Sequence, residues 1–422
     1  MSDYAPFLAW IDSQSQRMVS LVTRLANINS GTYHLAGLHH LSQGIQLAFA
    51  SLNADTTERL ALLPHQKIDS QGRPVEAPLA DALRLRKRPD AALRVFLCIH
   101  MDTVYPEDSP FQQTKLLEPN KLNGPGVTDA KGGIVIMLIA LECLERFIAA
   151  TPDVHPGLGW EVLLNSDEEI GSPGSHPHLV EAAKRNHLGL LFEPALPDGS
   201  LASERKGSGN FTVVVRGRSA HAGRNPQDGR SAIVALAQII LALQELGGSG
   251  TPTRHFPGLT LNVGQIEGGG ALNMVPDLAI ARFNVRIPPH GVSAATVHEH
   301  LERLITTSNR DGIAVELHGG ITSPPKTVDP PTALLMERIG QCGKEIGLDL
   351  NFRPTGGTCD GNRLAAAGLA TVDSLGARGD LIHSAEEFLW LDSLVERAKL
   401  TALLLMKLAA GEISWQVRTM SQ

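Results

Sequence analysis

Two patterns of apolar and polar positions divide the chain. Up to about residue 200, residues 6–28 and 35–52 carry helical spacing, and a polar, proline-containing stretch over 64–91 leaves room for an edge strand. Val95–Ile99 is uninterruptedly apolar, as expected of a strand buried on both faces, and it stops on His100 and Asp102. "IVIMLIALECLERFIAA" (134–150) reads as an apolar helix. "WEVLLNSDEE" (160–169) and "LGLLFEPA" (188–195) read as further strands that finish on acids. Strands alternating with helices, with polar groups gathered at the strand ends, predict an α/β fold with an open, mostly parallel sheet flanked by helices. Ligands of such a sheet sit beyond its carboxyl edge.

From residue 207 the pattern changes. Strands at 210–218, 259–269, 278–287 and 313–320 and helices at 229–246 and 293–307 follow in the order βαββαβ, the ferredoxin-like arrangement. "TSPPKTVDPP" (322–331) reads as a linker. A helix (332–346), a strand (371–374) and a final helix (391–410) then resume the first pattern. The expected organisation is a catalytic domain built from 1–206 and 322–422, interrupted by a small lid domain at 207–321.

Composition narrows the function. A chain of 422 residues exceeds what one compact core usually holds. The formal net charge of −7 argues against nucleic acid or an anionic membrane as partner. No apolar stretch is long enough for a membrane span, and the start lacks the basic-then-apolar order of a signal peptide. Cys98, Cys143, Cys342 and Cys359 form no CxxC pair, which favours a reduced, cytoplasmic protein without a cysteine-held metal. The glycines of "GQIEGGGALN" precede no helix of a nucleotide-binding unit, so a dinucleotide or phosphate site is not indicated.

Five positions at strand ends or turns stand out: His100, Asp129, the pair Glu168–Glu169, Glu193 and His383. Each has a mild explanation alone, such as a helix cap for Asp129 or a solvated turn for the glutamate pair. Together, two histidines and three carboxylates are a ligand set that zinc, cobalt or manganese accepts. Four ligands suffice for one zinc, so five with one shared carboxylate point to two metals. With Glu169 as a ligand, adjacent Glu168 is placed to move a proton between water and a leaving amine. Asp102 is the nearest carboxylate available to orient His100.

Eight motifs extend the set: "IHMDTVYP", "LNGPGVTDAKGG", "LLNSDEEIGSPGS", "LLFEPA", "RGRSAHAGRNPQDGRSAI", "GGGALNMVPDLAIARFNVR", "TGGTCDGNRLAAAG" and "DLIHSAEEF". In this order, over residues 93–410, the sequence resembles the dinuclear-zinc metallopeptidase family of glutamate carboxypeptidases, aminoacylases, acetylornithine deacetylases and succinyl-diaminopimelate desuccinylases. It is most similar to the glutamate carboxypeptidase type.

The resemblance implies two Zn2+ per chain, with Co2+ or Mn2+ as substitutes. Asp129 would bridge them, His100 and Glu193 holding one and Glu169 and His383 the other. It implies Glu168 as general acid/base, Asp102 as an orienting aspartate, and a cis peptide bond after Asp129. His221 would reach from one subunit's lid into the other subunit's site of a homodimer, to hold the developing oxyanion. Asn273 and Arg286 would contact substrate, Arg286 clamping a carboxylate, and Gly356 and Gly357 would let a loop approach it closely. Ile382 stands where the family often has glycine, which leaves the His383 ligand intact and alters the pocket wall.

The expected reaction is hydrolysis of the amide bond of a small N-acyl amino acid or short peptide with a free carboxylate. "TGGTCDGN" also resembles the desuccinylases, so an N-deacylase of the succinyl-diaminopimelate or acetylornithine type is the alternative, and an inactive metal-binding relative a third. His39, His40, His155, His176, His178, His187 and His290 lie outside the motifs, and most are expected at the solvated surface.

Overall fold

The computed structural model describes residues 3–151, 157–247 and 255–415. Its central sheet has six strands in the order Thr56–Leu60, Ala82–Lys87, Leu158–Asn165, Leu93–His100, Leu188–Leu191 and Thr371–Val372. Pairing is parallel among the last four and antiparallel where Ala82–Lys87 meets its two neighbours. The uninterrupted apolar run explains why Leu93–His100 lies inside the sheet: both of its faces are covered. Val95, Leu97 and Ile99 enter the core formed with helices Gly132–Ala150 and Asp392–Ala409, and Phe96 and Cys98 enter the one beneath helices His176–Arg185 and Asp360–Ala366.

Local chemistry moves several expected boundaries. The first helix breaks at Gln14 into Ala5–Ser13 and Ser15–Ala26, where the Ser13 hydroxyl donates back to the Trp10 carbonyl and competes with the helix ladder. Within 64–91 the chain forms a hairpin, His65–Ile68 with Pro74–Ala77, and the strand Ala82–Lys87, which is interior; the edge belongs to Thr56–Leu60. The strand expected over 160–169 ends at Asn165, after which Glu168–Ile170 closes a short turn.

Residues 207–323 build an antiparallel sheet in the order Thr260–Gly268, Leu278–Ile287, Gly207–Arg216, Ala314–Ser323, backed by helices Ala232–Gly247 and Ala294–Thr307. It has its own apolar core around Phe211, Leu236, Phe283 and Leu301. The last strand runs to Ser323, two residues past the expected boundary. Leu241, Ile266, Leu272 and Met274 are exposed on this unit. The two segments that join it to the main sheet hydrogen-bond to each other through the backbones of Arg205 and Lys326. Both side chains converge on Asp373, with Arg205 Nη2 at 2.7 Å and Lys326 Nζ at 2.6 Å from its fully buried carboxylate.

All four cysteines are free and buried. Among the described residues, no helix is long and apolar enough to cross a membrane.

Candidate metal centre and active site

The carboxyl edge of the sheet brings together the polar residues on which its strands end. His100 is the last residue of its strand and is buried. Its Nδ1 lies 2.9 Å from the backbone oxygen of Asp102, which turns Nε2 toward Asp129 Oδ1 at 3.0 Å and Glu193 Oε2 at 3.9 Å. The other oxygen of Asp129, Oδ2, lies 3.3 Å from His383 Nε2, and Glu169 Oε2 lies 3.4 Å from the same nitrogen. Asp129 therefore stands between two groups, His100 with Glu193 on one side and His383 with Glu169 on the other. The Asp129–Ala130 peptide is cis.

Asp102 is fully buried and supports more than the imidazole. Its carboxylate accepts from the backbone N–H groups of Glu168 and Glu169, both at 3.2 Å, and from Thr32 Oγ1 at 2.7 Å. One residue thus orients His100 through its carbonyl and caps the turn carrying both glutamates through its side chain. Asp167 folds back onto the N–H groups of Gly174 and Ser175 at 2.7 and 3.0 Å, closing the same turn from the other end.

Burial and crowding set the protonation of this cluster. Burial pushes Glu193 up to about 8, with His100 opposing and Asp129 reinforcing. Glu169 is pushed up to about 7 by burial, against the hydrogen bond to His383. Glu168 rises well above the ordinary carboxylate range through burial and the nearby charge of Glu193. Hydrogen bonds to Asp129 and Glu169 raise His383 to about 10. Burial alone would lower His100, but Asp102 and Asp129 reverse it and hold it well above an ordinary imidazole. Asp129 stays below the usual range despite burial, because both histidines face it.

Such a cluster is short of positive charge, and the donor set fits divalent cations. Ligand atoms of His100, Asp129 and Glu169 lie within 4.8 Å of one another. Glu169 Oε1 is buried without a hydrogen-bond partner among the described residues. Imidazole nitrogens and carboxylate oxygens in this number suit zinc, cobalt or manganese.

A cavity of about 580 Å³ opens over the cluster, between the main sheet's edge and the 207–323 unit. Glu168, Glu169, Asp129, Glu193 and His383 form its floor, and Arg286, Asn210, Asn284 and Thr322 its opposite wall. Arg286 Nη1 donates to Thr358 Oγ1 at 3.0 Å. Burial lowers its pKa, and Glu168 acts against that shift.

Other expected residues fall elsewhere. Gly357 lines the cavity, whereas Gly356 does not, and a Cβ at Gly356 would meet nothing within 4 Å. His221 and Asn273 are exposed neighbours on the outer unit, where Ala222 N donates to the Asn273 carbonyl at 2.8 Å. The Nδ1 of His221 accepts from the backbone of Gly223 and Arg224. Neither residue lines the cavity. Among the histidines outside the motifs, His187 is buried and accepts from Arg94 N at 3.0 Å, and His155 lies outside the described residues.

Sequence reasoning missed Glu387, whose buried carboxylate supports the loop of Asp129, and Asp373, beneath the two connecting segments. "SAEEF" offers two adjacent glutamates with nothing to distinguish them, so only their placement in the fold could have found Glu387.

Comparison with known proteins adds independent findings. Residues 203–312 match the M20 peptidase dimerisation domain. Carboxypeptidase G2 of Pseudomonas sp. (strain RS-16) is 26% identical over 97% of this chain and 93% of its own length. The fold matches an M20 family metallo-carboxypeptidase from Sulfolobus solfataricus with a TM-score of 0.69 at 18% identity, covering 92% of this chain and 98% of that one. It also matches a dinuclear metal binding M20 peptidase of Bacillus subtilis, with a TM-score of 0.62 at 14% identity over 94% and 99% of the two chains.

Proposed function

We propose that this chain, a homologue of Carboxypeptidase G2 with the M20 metallopeptidase fold and hence a hydrolase, cleaves the amide bond of a small N-acyl amino acid or short peptide bearing a free carboxylate. Its ligand set would be Asp129 shared between two cations, His100 with Glu193 on one, and His383 with Glu169 on the other. Divalent cations bound there supply Lewis-acid activation of water and of the amide carbonyl.

The protein's own groups do the rest. Glu168 takes a proton from the attacking water and returns it to the leaving nitrogen. Asp102 keeps the Glu168 backbone anchored while that proton moves. Arg286, which among the described residues joins no ion pair, clamps the substrate carboxylate against the far wall of the cavity. His221 and Asn273, exposed on the outer unit, serve the site of a second copy. A homodimer through residues 207–323 agrees with the dimerisation-domain match and with the exposed Leu241, Ile266 and Leu272.

The arrangement around Asp129 carries this conclusion: each of its oxygens faces a separate histidine, and each histidine has its own glutamate. The test is hydrolysis of N-acyl amino acids and dipeptides by zinc-loaded protein, alongside Glu168→Ala with its zinc content measured. About two zincs per chain and a rate loss on the order of a thousand-fold in the variant are expected. A variant that hydrolyses these substrates as fast as wild type overturns the mechanism.

A further inference from the structure

The two halves of the ligand cluster are not held equally. His100 ends a central strand, and its ring is fixed by the Asp102 carbonyl. His383 sits on an exposed loop in the left-handed region at φ +62°, as does Leu381 at φ +57°, and its side chain is half-exposed. Leu381 and Ile382 are also largely exposed, so little packing restrains this loop.

What restrains it is a buried polar junction below. Glu387 Oε1 accepts from the backbone N–H groups of Thr128 and Asp129 at 2.9 and 3.0 Å. Its Oε2 accepts from Gly126 N at 3.0 Å and faces Tyr105 Oη at 2.8 Å. The Tyr105 hydroxyl also lies 2.8 Å from the carbonyl of Ser384, next to His383. Asn123 Nδ2 adds bonds to the carbonyls of Ala385 and Glu387, at 3.1 and 2.7 Å. One carboxylate thus gathers three loops: the one after His100 through Tyr105, the one bearing Asp129 through three amides, and the one bearing His383 through its own backbone. Its four bonds include three backbone donors that nothing else in this junction satisfies, which makes a fully buried charge there tolerable.

Resting on the metal reading above, we infer that Glu387, with Tyr105, is a positioning residue that fixes the His383–Asp129 spacing, and so sets the affinity of the Glu169/His383 cation site more strongly than that of the His100/Glu193 site, whose histidine the strand end holds. Glu387→Gln keeps the volume and replaces one acceptor oxygen by an NH2 group. Either orientation turns that group toward a backbone N–H, so the loops must part. Tyr105→Phe removes only the hydroxyl that ties Glu387 to Ser384.

The experiment titrates zinc calorimetrically into chelator-stripped protein and measures melting of the stripped form. Wild type is expected to bind about two zincs in resolvable steps. Glu387→Gln should weaken one step by about 10- to 100-fold, as loss of an outer partner of a metal ligand does, and the other by a clearly smaller factor through the shared Asp129. Tyr105→Phe should weaken the same step by a smaller factor, with a smaller fall in stripped-form melting than Glu387→Gln causes. Equal weakening of both steps, in proportion to a fall in melting temperature, would make Glu387 a fold element only. Two unaltered steps in Glu387→Gln would also overturn the inference. A wild type that binds no second zinc refutes the two-metal proposal itself, a different failure visible before any variant is made.

Discussion

Stripping and reloading the metal site should move protons, and their number follows from the structure. At pH 7 without metal, His383 near 10 holds its proton, and so does His100, raised well above an ordinary imidazole. Glu193 near 8 holds most of a proton, and Glu169 near 7 about half of one. Asp129 lies below the usual range and has none to lose. Ligation requires neutral imidazoles and ionised carboxylates, so filling both positions at pH 7 should release roughly three protons. The sign follows: His100, His383, Glu193 and Glu169 each bind a proton more tightly in the stripped fold than an ordinary group of their kind does, so protons compete with the cations. Apparent affinity must therefore rise with pH, with a slope near neutrality of about three in log K per unit for both cations together. Calorimetric titration of zinc into chelator-stripped protein, in buffers of different ionisation enthalpy, reads that number directly. Glu193→Gln should lower it by about one. Release of fewer than one proton would refute the view that this cluster holds protons in place of cations.

Three further outcomes are expected. Arg286→Met should raise KM for carboxylate-bearing substrates by about 10- to 100-fold with kcat little changed, and have no such effect on the amidated substrate; equal effects on both would remove the clamp. Mixing subunits of His221→Ala and Glu168→Ala, each inactive alone, should restore part of the activity as subunits exchange, and no recovery despite proven exchange would argue against a site shared across the dimer. Asp373→Ala leaves Arg205 and Lys326 buried without their carboxylate and should cost about 3–5 kcal/mol in denaturant unfolding; a loss under about 1 kcal/mol would mean water already screens the group.

Part of the proposed ligand set was legible because it lies where buried strands stop. An apolar run such as Val95–Ile99 has no packing reason to end on His100, and the same holds where Leu188–Leu191 leads on to Glu193. Spacing along the chain also exposed the βαββαβ order of the outer unit. Support was less visible, because it is made by pairs far apart in sequence. Asp102 reaches Glu168 across 66 residues, and Arg205 reaches Asp373 across 168. Glu387 differs from exposed Glu386 only in which way the loop turns it. His221 and Asn273 show a different limit, since one chain cannot display what a second would receive from it.

The junction at Asp373 fastens both connections of the outer unit to one point of the main sheet. Two chain crossings laced to each other and salted onto a single carboxylate cannot be displaced one without the other. Arg205 also donates to the Gly357 carbonyl at 3.3 Å, and Arg286 reaches Thr358 beside it at 3.0 Å, so one loop of the cavity wall is braced from both units.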